Sequence, residues 1–219
     1  MRILITGATG LVGQGVLREC LQAPDVTQVV ALSRHASGQS HPKFSEVICP
    51  DFSDLSGVEQ QLQPFDACLY CAGAPPVGTP EGQYRHVTFA LTTNVAATLA
   101  RLNPQLVFVY VSGAHADPAS RFMPMRVKGE TERALAALPI RTSMLRPGGI
   151  QPVAGVRSPH AAMDVMYRFA GPLMGLGVRL MPGMLTTTAN VGRAMLAVLR
   201  QDDPASIVEN DAINLLGAG

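Results

Sequence analysis

Charge is scarce in this chain. Only 15% of its 219 residues are Asp, Glu, Lys or Arg, and 17 basic residues against 16 acidic ones leave a net charge of +1. So even a balance carries no basic footprint, and no local basic patch stands in for one, so nucleic acid is not expected as a partner. Cysteine is scarce as well: four residues at irregular spacing make no disulfide framework, and a chain of this length does not need one. No uninterrupted apolar run approaches the length that spans a bilayer, so no transmembrane segment is expected. The opening Met1-Arg2-Ile3-Leu4-Ile5 has neither signal-peptide nor transit-peptide character. These absences predict a soluble, cytoplasmic protein. What the chain does have is apolar residues, 47% of the total, enough to exclude disorder and to bury a core in one domain spanning residues 1–219.

Those apolar residues come in a regular alternation. Short β-branched runs at Ile3–Thr6, Val26–Leu32, Ser45–Cys49, Ala67–Tyr70, Leu106–Val111 and Arg141–Leu145 read as strands. Several are nearly continuous, the mark of strands covered on both faces. Helical segments lie between or after them, at Leu11–Leu21, Leu55–Leu62, Tyr84–Arg101, Pro124–Leu138 and Thr188–Arg200. This order predicts an α/β fold, a Rossmann-type doubly wound parallel sheet with a small helical C-terminal region on the substrate side. Residues 149–158 read as loop and His160–Leu173 as a further helix. Five of the ten methionines fall between Met163 and Met184, where core gap-filling or an adaptable wall over a cleft both suit them.

The strongest local signal is Thr6-Gly7-Ala8-Thr9-Gly10-Leu11-Val12-Gly13, directly after the first strand and opening the first helix. Gly7 permits the tight turn, Gly10 admits a pyrophosphate to the backbone, and Gly13 lets the helix close on the sheet. The N–H groups of the helix N-terminus, Thr9 to Val12 among them, suit a phosphate. Glycines that merely turn the chain account for one of the three positions, not for all three at this spacing.

The G-x-x-G-x-x-G spacing resembles the short-chain dehydrogenase/reductase superfamily, in particular its extended, epimerase-like and atypical branches. The resemblance runs through most of the chain. Asp51-Phe52 is similar to the family's adenine-contacting acidic position, and Cys71-Ala72-Gly73 to its Asn-Ala-Gly element. Val111-Ser112-Gly113 resembles the catalytic-serine strand end, and Leu145-Arg146-Pro147-Gly148 the segment beside the nicotinamide. Lys128 resembles the family lysine, which implies catalytic roles for Ser112 and Lys128 and a ribose contact for Lys128.

Two departures shape the functional expectation. After the second strand, where a carboxylate would hold the ribose 2′-OH of NAD(H), stand Ser33-Arg34, and an arginine there suits the 2′-phosphate of NADP(H). NADP(H) is therefore the expected cofactor and NAD(H) the second choice; a solvated Arg34 is the bland alternative, with His35 and Lys43 as minor helpers. Four residues before Lys128, one helical turn away, the family carries a tyrosine acid/base. Here the position holds Pro124, which transfers no proton but suits a helix's first turn. Tyr110, His115 and Asn94 are the substitutes within reach of the sequence argument, each with a plainer reading: core packing for Tyr110, solvation for His115. Cys68 and Cys71 have redox-motif spacing, but a strand sends them to opposite faces. The expectation is an NADP(H)-binding oxidoreductase or epimerase-like enzyme acting on a small molecule. Its rival is a non-catalytic NADP(H) sensor with a regulatory protein partner; oligomeric state stays open.

Overall fold

The computed structural model describes residues 1–152 and 183–218. Its main sheet has seven strands: β1 (Arg2–Thr6), β2 (Gln28–Ser33), β3 (Phe44–Ile48), β4 (Ala67–Tyr70), β5 (Val107–Val111), β6 (Arg141–Arg146) and β9 (Ile207–Glu209). They lie in the order β3-β2-β1-β4-β5-β6-β9, and every neighbouring pair is parallel. The order reverses direction between β1 and β4. Parallel strands need crossovers, and helices on both faces supply them. Helices α1 (Leu11–Gln22), α5 (Thr188–Leu199) and α6 (Asn210–Gly217) share one core with Ile3, Ile5, Val29, Ala31, Leu69 and Val109. Helices α3 (Leu91–Leu102) and α4 (Met123–Ala136) cover the other face over Leu4, Leu32, Cys68, Tyr70, Phe108 and Tyr110. Burial on both faces explains why β1, β2 and β5 read as unbroken apolar runs.

The alternation predicts the sheet well, and the departures have local causes. The segment expected as a helix at Leu55–Leu62 is a 3-10 turn, Ser56–Gln61. The helix expected at Tyr84–Arg101 begins earlier, as α2 (Glu81–Arg85), and passes through a π turn at His86–Ala90 before α3. Side-chain hydroxyls compete for carbonyls there: Thr131 Oγ1 donates to Thr88 O at 3.3 Å and Thr93 Oγ1 to Phe89 O at 2.8 Å. Residues Gly149–Gln151, expected as loop, form β7, which pairs in parallel with β8 (Leu185–Thr187). The expected helix at His160–Leu173 lies outside the described residues. Cys68 joins the α3/α4 core while Cys71 packs against the α1/α5 core, so the two thiols do face opposite ways.

Candidate functional site

The carboxyl ends of β1, β4 and β5 meet at the glycine loop. Gly7 has φ +67°, a conformation that favours glycine, and a Cβ there would sit 2.6 Å from Ala72 N. Cys71 N donates to Thr6 O at 3.2 Å and Ala72 N to Thr6 Oγ1 at 3.3 Å, locking the β4 end onto the loop. Gly13 is closed in as tightly: its Cβ would lie 2.0 Å from Gly7 O. Gly10 differs. It caps α1 with extended backbone, and a Cβ there would meet nothing nearer than Gly7 O at 3.2 Å. The first turn of α1 holds no acidic residue, and Thr9 is exposed beside it. Two glycines are thus consumed by the fold and one is left facing outward, beside the N–H groups of Leu11 and Val12. A nicotinamide dinucleotide's pyrophosphate fits this cradle.

Arg34 follows β2 at the same edge of the sheet; it is exposed and makes no hydrogen bond or ion pair among the described residues. His35 beside it is exposed too. Lys43, the third basic candidate, lies at the opposite, amino-terminal edge, where its Nζ donates to Ala23 O at 2.8 Å. That removes it as a helper. Asp51 is exposed and accepts from Ser53 N at 2.8 Å, which holds its carboxyl below the usual range. Phe52 is buried in the α3/α4 core. Asn94 braces this turn, donating to Phe52 O at 2.8 Å and Ser53 O at 3.1 Å, so its amide is not free for proton work. Gly73 is exposed, with open space where a Cβ would go.

At the end of β5, Ser112 is only 2% exposed, and among the described residues its Oγ has no hydrogen-bond partner. An orphaned buried hydroxyl is costly, and this one lies just past the carboxyl end of β5. Lys128 reaches the same strand end from α4: Nζ donates to Val111 O at 3.2 Å and to Ser112 O. Its stem lies against Gly113, whose Cβ would come 3.3 Å from Lys128 Cδ. Burial lowers the Lys128 amine from 10.5 to about 8, with Glu132 pulling the other way. Pro124 occupies the first turn of α4, one turn before Lys128. Tyr110 is fully buried, and that burial pushes its phenol up. His115 is exposed with φ 60°, the one non-glycine residue of positive φ among the described residues.

The segment after β6 was legible only in part. Pro147 O accepts from Ala114 N at 2.9 Å, joining it to the Ser112 loop. Gly148 N donates to Asn210 Oδ1 at 2.8 Å, and a Cβ on Gly148 would strike Met184 O at 2.1 Å. Sequence reasoning missed Asn210, whose buried amide also donates to Leu185 O at 3.0 Å. It also missed the ion pair that steadies this end: Arg146 grips Glu132 of α4 in two bonds, 3.0 and 2.6 Å, and Glu209 of β9 at 2.9 Å. Nothing local marks these partners, because they come from elements far apart in the chain.

Comparison with known proteins places this geometry. Residues 3–136 match the NAD dependent epimerase/dehydratase family. The chain is 30% identical over 201 residues to Protein fmp52, mitochondrial, of Emericella nidulans, covering 88% of this chain and 84% of that protein. It is 33% identical over 164 residues to Protein FMP52, mitochondrial, of Saccharomyces cerevisiae, covering 72% and 68%. Among solved structures it resembles UDP-glucuronic acid 4-epimerase from Bacillus cereus in complex with NAD. That likeness has a TM-score of 0.67 and 17% identity, over 95% of this chain and 76% of that one. The names of the fungal relatives point to a mitochondrial rather than a cytoplasmic setting and correct the cytoplasmic expectation. The physical reason is simple: a balanced charge and free cysteines do not name a compartment. Among the described residues no helix is long and apolar enough to cross a membrane.

Proposed function

The chain belongs to the NAD dependent epimerase/dehydratase family, and from that premise we propose that it is an NADP(H)-dependent reductase of a small carbonyl compound. The single observation that carries the reading is the pairing at the β5 end of an unpartnered buried Ser112 hydroxyl with a Lys128 amine beside it. In this reading the backbone around Gly7, Gly10, Leu11, Val12 and Gly13 takes the pyrophosphate, with Thr9 at its rim. Arg34 takes the 2′-phosphate, supported by its exposure and by the lack of a carboxylate after β2. Asp51, the Phe52 backbone, Cys71, Ala72 and Gly73 border the adenosine half. Lys128, Pro147 and Gly148 border the nicotinamide half. The bound cofactor supplies hydride. The chain's own work is to orient the carbonyl oxygen on Ser112 Oγ and to hold positive charge at Lys128.

Pro124 favours a second reading, a nucleotide-binding sensor without turnover, since the usual proton donor is missing. A screen of aldehydes and ketones with NADPH, followed by nucleotide oxidation, separates the two. Steady consumption of NADPH that depends on an added carbonyl, and that Ser112→Ala lowers about 100-fold, supports the reductase. Tight nucleotide binding with no turnover of any compound overturns it in favour of the sensor.

A further inference from the structure

Pro124 leaves the proton of the reaction without an assigned source, and the described residues narrow the choice. Tyr110 is sealed in the core. The Asn94 amide is spent on Phe52 O and Ser53 O. Glu132 is held in two hydrogen bonds by Arg146. His115 faces solvent on the loop beyond the strand end. Among the described residues Lys128 is the remaining ionisable group at Ser112, and two of its three N–H bonds go to Val111 O and Ser112 O, leaving the third unclaimed there.

Resting on the reductase reading, we propose that Lys128 Nζ is itself the proton donor to the substrate oxygen, the role that Pro124 cannot fill. Reduced nicotinamide dinucleotide is the reductant. Its hydride forms the new C–H bond as the carbonyl π bond breaks, and the pair of electrons moves onto oxygen. That oxygen, held by Ser112 Oγ, takes a proton from the Lys128 ammonium. The nucleotide is oxidised, the carbonyl is reduced to an alcohol, and the neutral amine regains its proton from water.

The surroundings suit the task. Among the described residues the groups facing Nζ are the Val111 and Ser112 carbonyls and the Tyr110 ring, 5.7 Å from it, at the end of β5, and Glu132 on its own helix, ion-paired with Arg146 of β6. Carbonyl dipoles and Glu132 favour the ammonium while burial opposes it, and the amine settles at about 8. An amine poised there gives up a proton near neutral pH, where an ordinary lysine holds it.

The test begins with the natural chain, which contains two lysines, Lys43 and Lys128. Labelling lysine at Cε with carbon-13 gives two NMR signals, assigned with Lys128→Arg, and the Lys128 signal is expected to titrate with a midpoint about 8. A midpoint in the ordinary lysine range, about 10.4, overturns the proposal. The pH dependence of carbonyl reduction is the second readout. The rate is expected to hold below pH about 8 and to fall about tenfold per pH unit above it, as the ammonium is lost; alcohol oxidation should show the mirror-image limb. The third readout is Lys128→Arg, which keeps the charge but releases no proton. Measured with NADPH saturating, so that any change in nucleotide affinity drops out, it should lose about 10²–10⁴ in kcat. A Lys128→Arg enzyme as fast as the natural one shows that the lysine only holds the nucleotide, and the reductase reading survives without the proposal. A natural chain that binds NADPH but reduces no carbonyl overturns both. The first two readouts need no folded variant beyond signal assignment.

Discussion

The two ends of the candidate site are built by different means. The glycine loop is made of backbone: Gly7 and Gly13 are fixed by contacts with Ala72, Gly7 and Ala8, and Gly10 is left outward beside the α1 N-terminus. The β5–α4 end is made of side chains brought from separate elements: Ser112, Lys128, and the Glu132–Arg146–Glu209 chain behind them. At Gly7 and Gly13 the first is hard to alter without unfolding the chain. The second can lose one group, as at Pro124, and keep its frame. The comparison teaches that a cradle built of backbone and a cluster built of side chains change independently: one is fixed by the fold, and the other can exchange a group without losing its frame.

Gly13→Val should have the largest effect, because it drives a side chain into the Gly7 carbonyl. A loss of more than about 4 kcal/mol is expected, read as an unfolded or insoluble product by circular dichroism. Glu132→Ala comes next. It leaves Arg146 partly buried with only the exposed Glu209 as partner, and a loss of about 3 kcal/mol is expected in urea unfolding. If the variant is as stable as the natural chain, the ion pair does not brace this end. Gly10→Val sharpens the contrast with Gly13. Its Cβ would meet one backbone oxygen, Gly7 O, at 3.2 Å, a tight contact relieved by a shift of a few tenths of an ångström, so the fold should survive within about 1 kcal/mol while NADPH binding falls more than about 100-fold.

The smallest effect is a pH dependence of stability. The folded-state pKa of Lys128, about 8, lies below its unfolded value, so the unfolded chain binds more protons between about 8 and 10.4 and stability rises with pH across that window. Below it the buried ammonium is a burden on the fold. Lys128→Met should therefore raise Tm at pH 7 by a few degrees, on the scale of about 2–4 °C per kcal/mol, and the gain should fade toward pH 10. A Tm difference that does not change with pH contradicts this.

The sheet was legible in the sequence because strands covered on both faces write themselves as apolar runs; Ala67–Tyr70 appears with the same bounds in both. The glycine loop was legible because its chemistry is local. What escaped was non-local. The three-residue strands β7, β8 and β9 are too short to carry a period, and β7 finds its partner only across the chain. Asn210 and Glu209 act on Gly148 and Arg146 from the last two elements, with no spacing to announce them. Lys43 misled for the opposite reason: it is near Arg34 in sequence, but β3 begins at the far edge of the sheet. The lowered amine of Lys128 was equally hidden, since it depends on the packing of α4 against the end of β5.

The proposed selectivity of the site for NADP(H) is tested most directly by titration calorimetry of the whole chain with NADPH and NADH. One charge-assisted contact from Arg34 is worth about 1.5–3 kcal/mol, so NADPH should bind at least about tenfold more tightly than NADH. Arg34→Ala should bring the two affinities together without weakening NADH. Equal affinities in the natural chain would remove Arg34 from the site, and no binding of either nucleotide would contradict the account at its base.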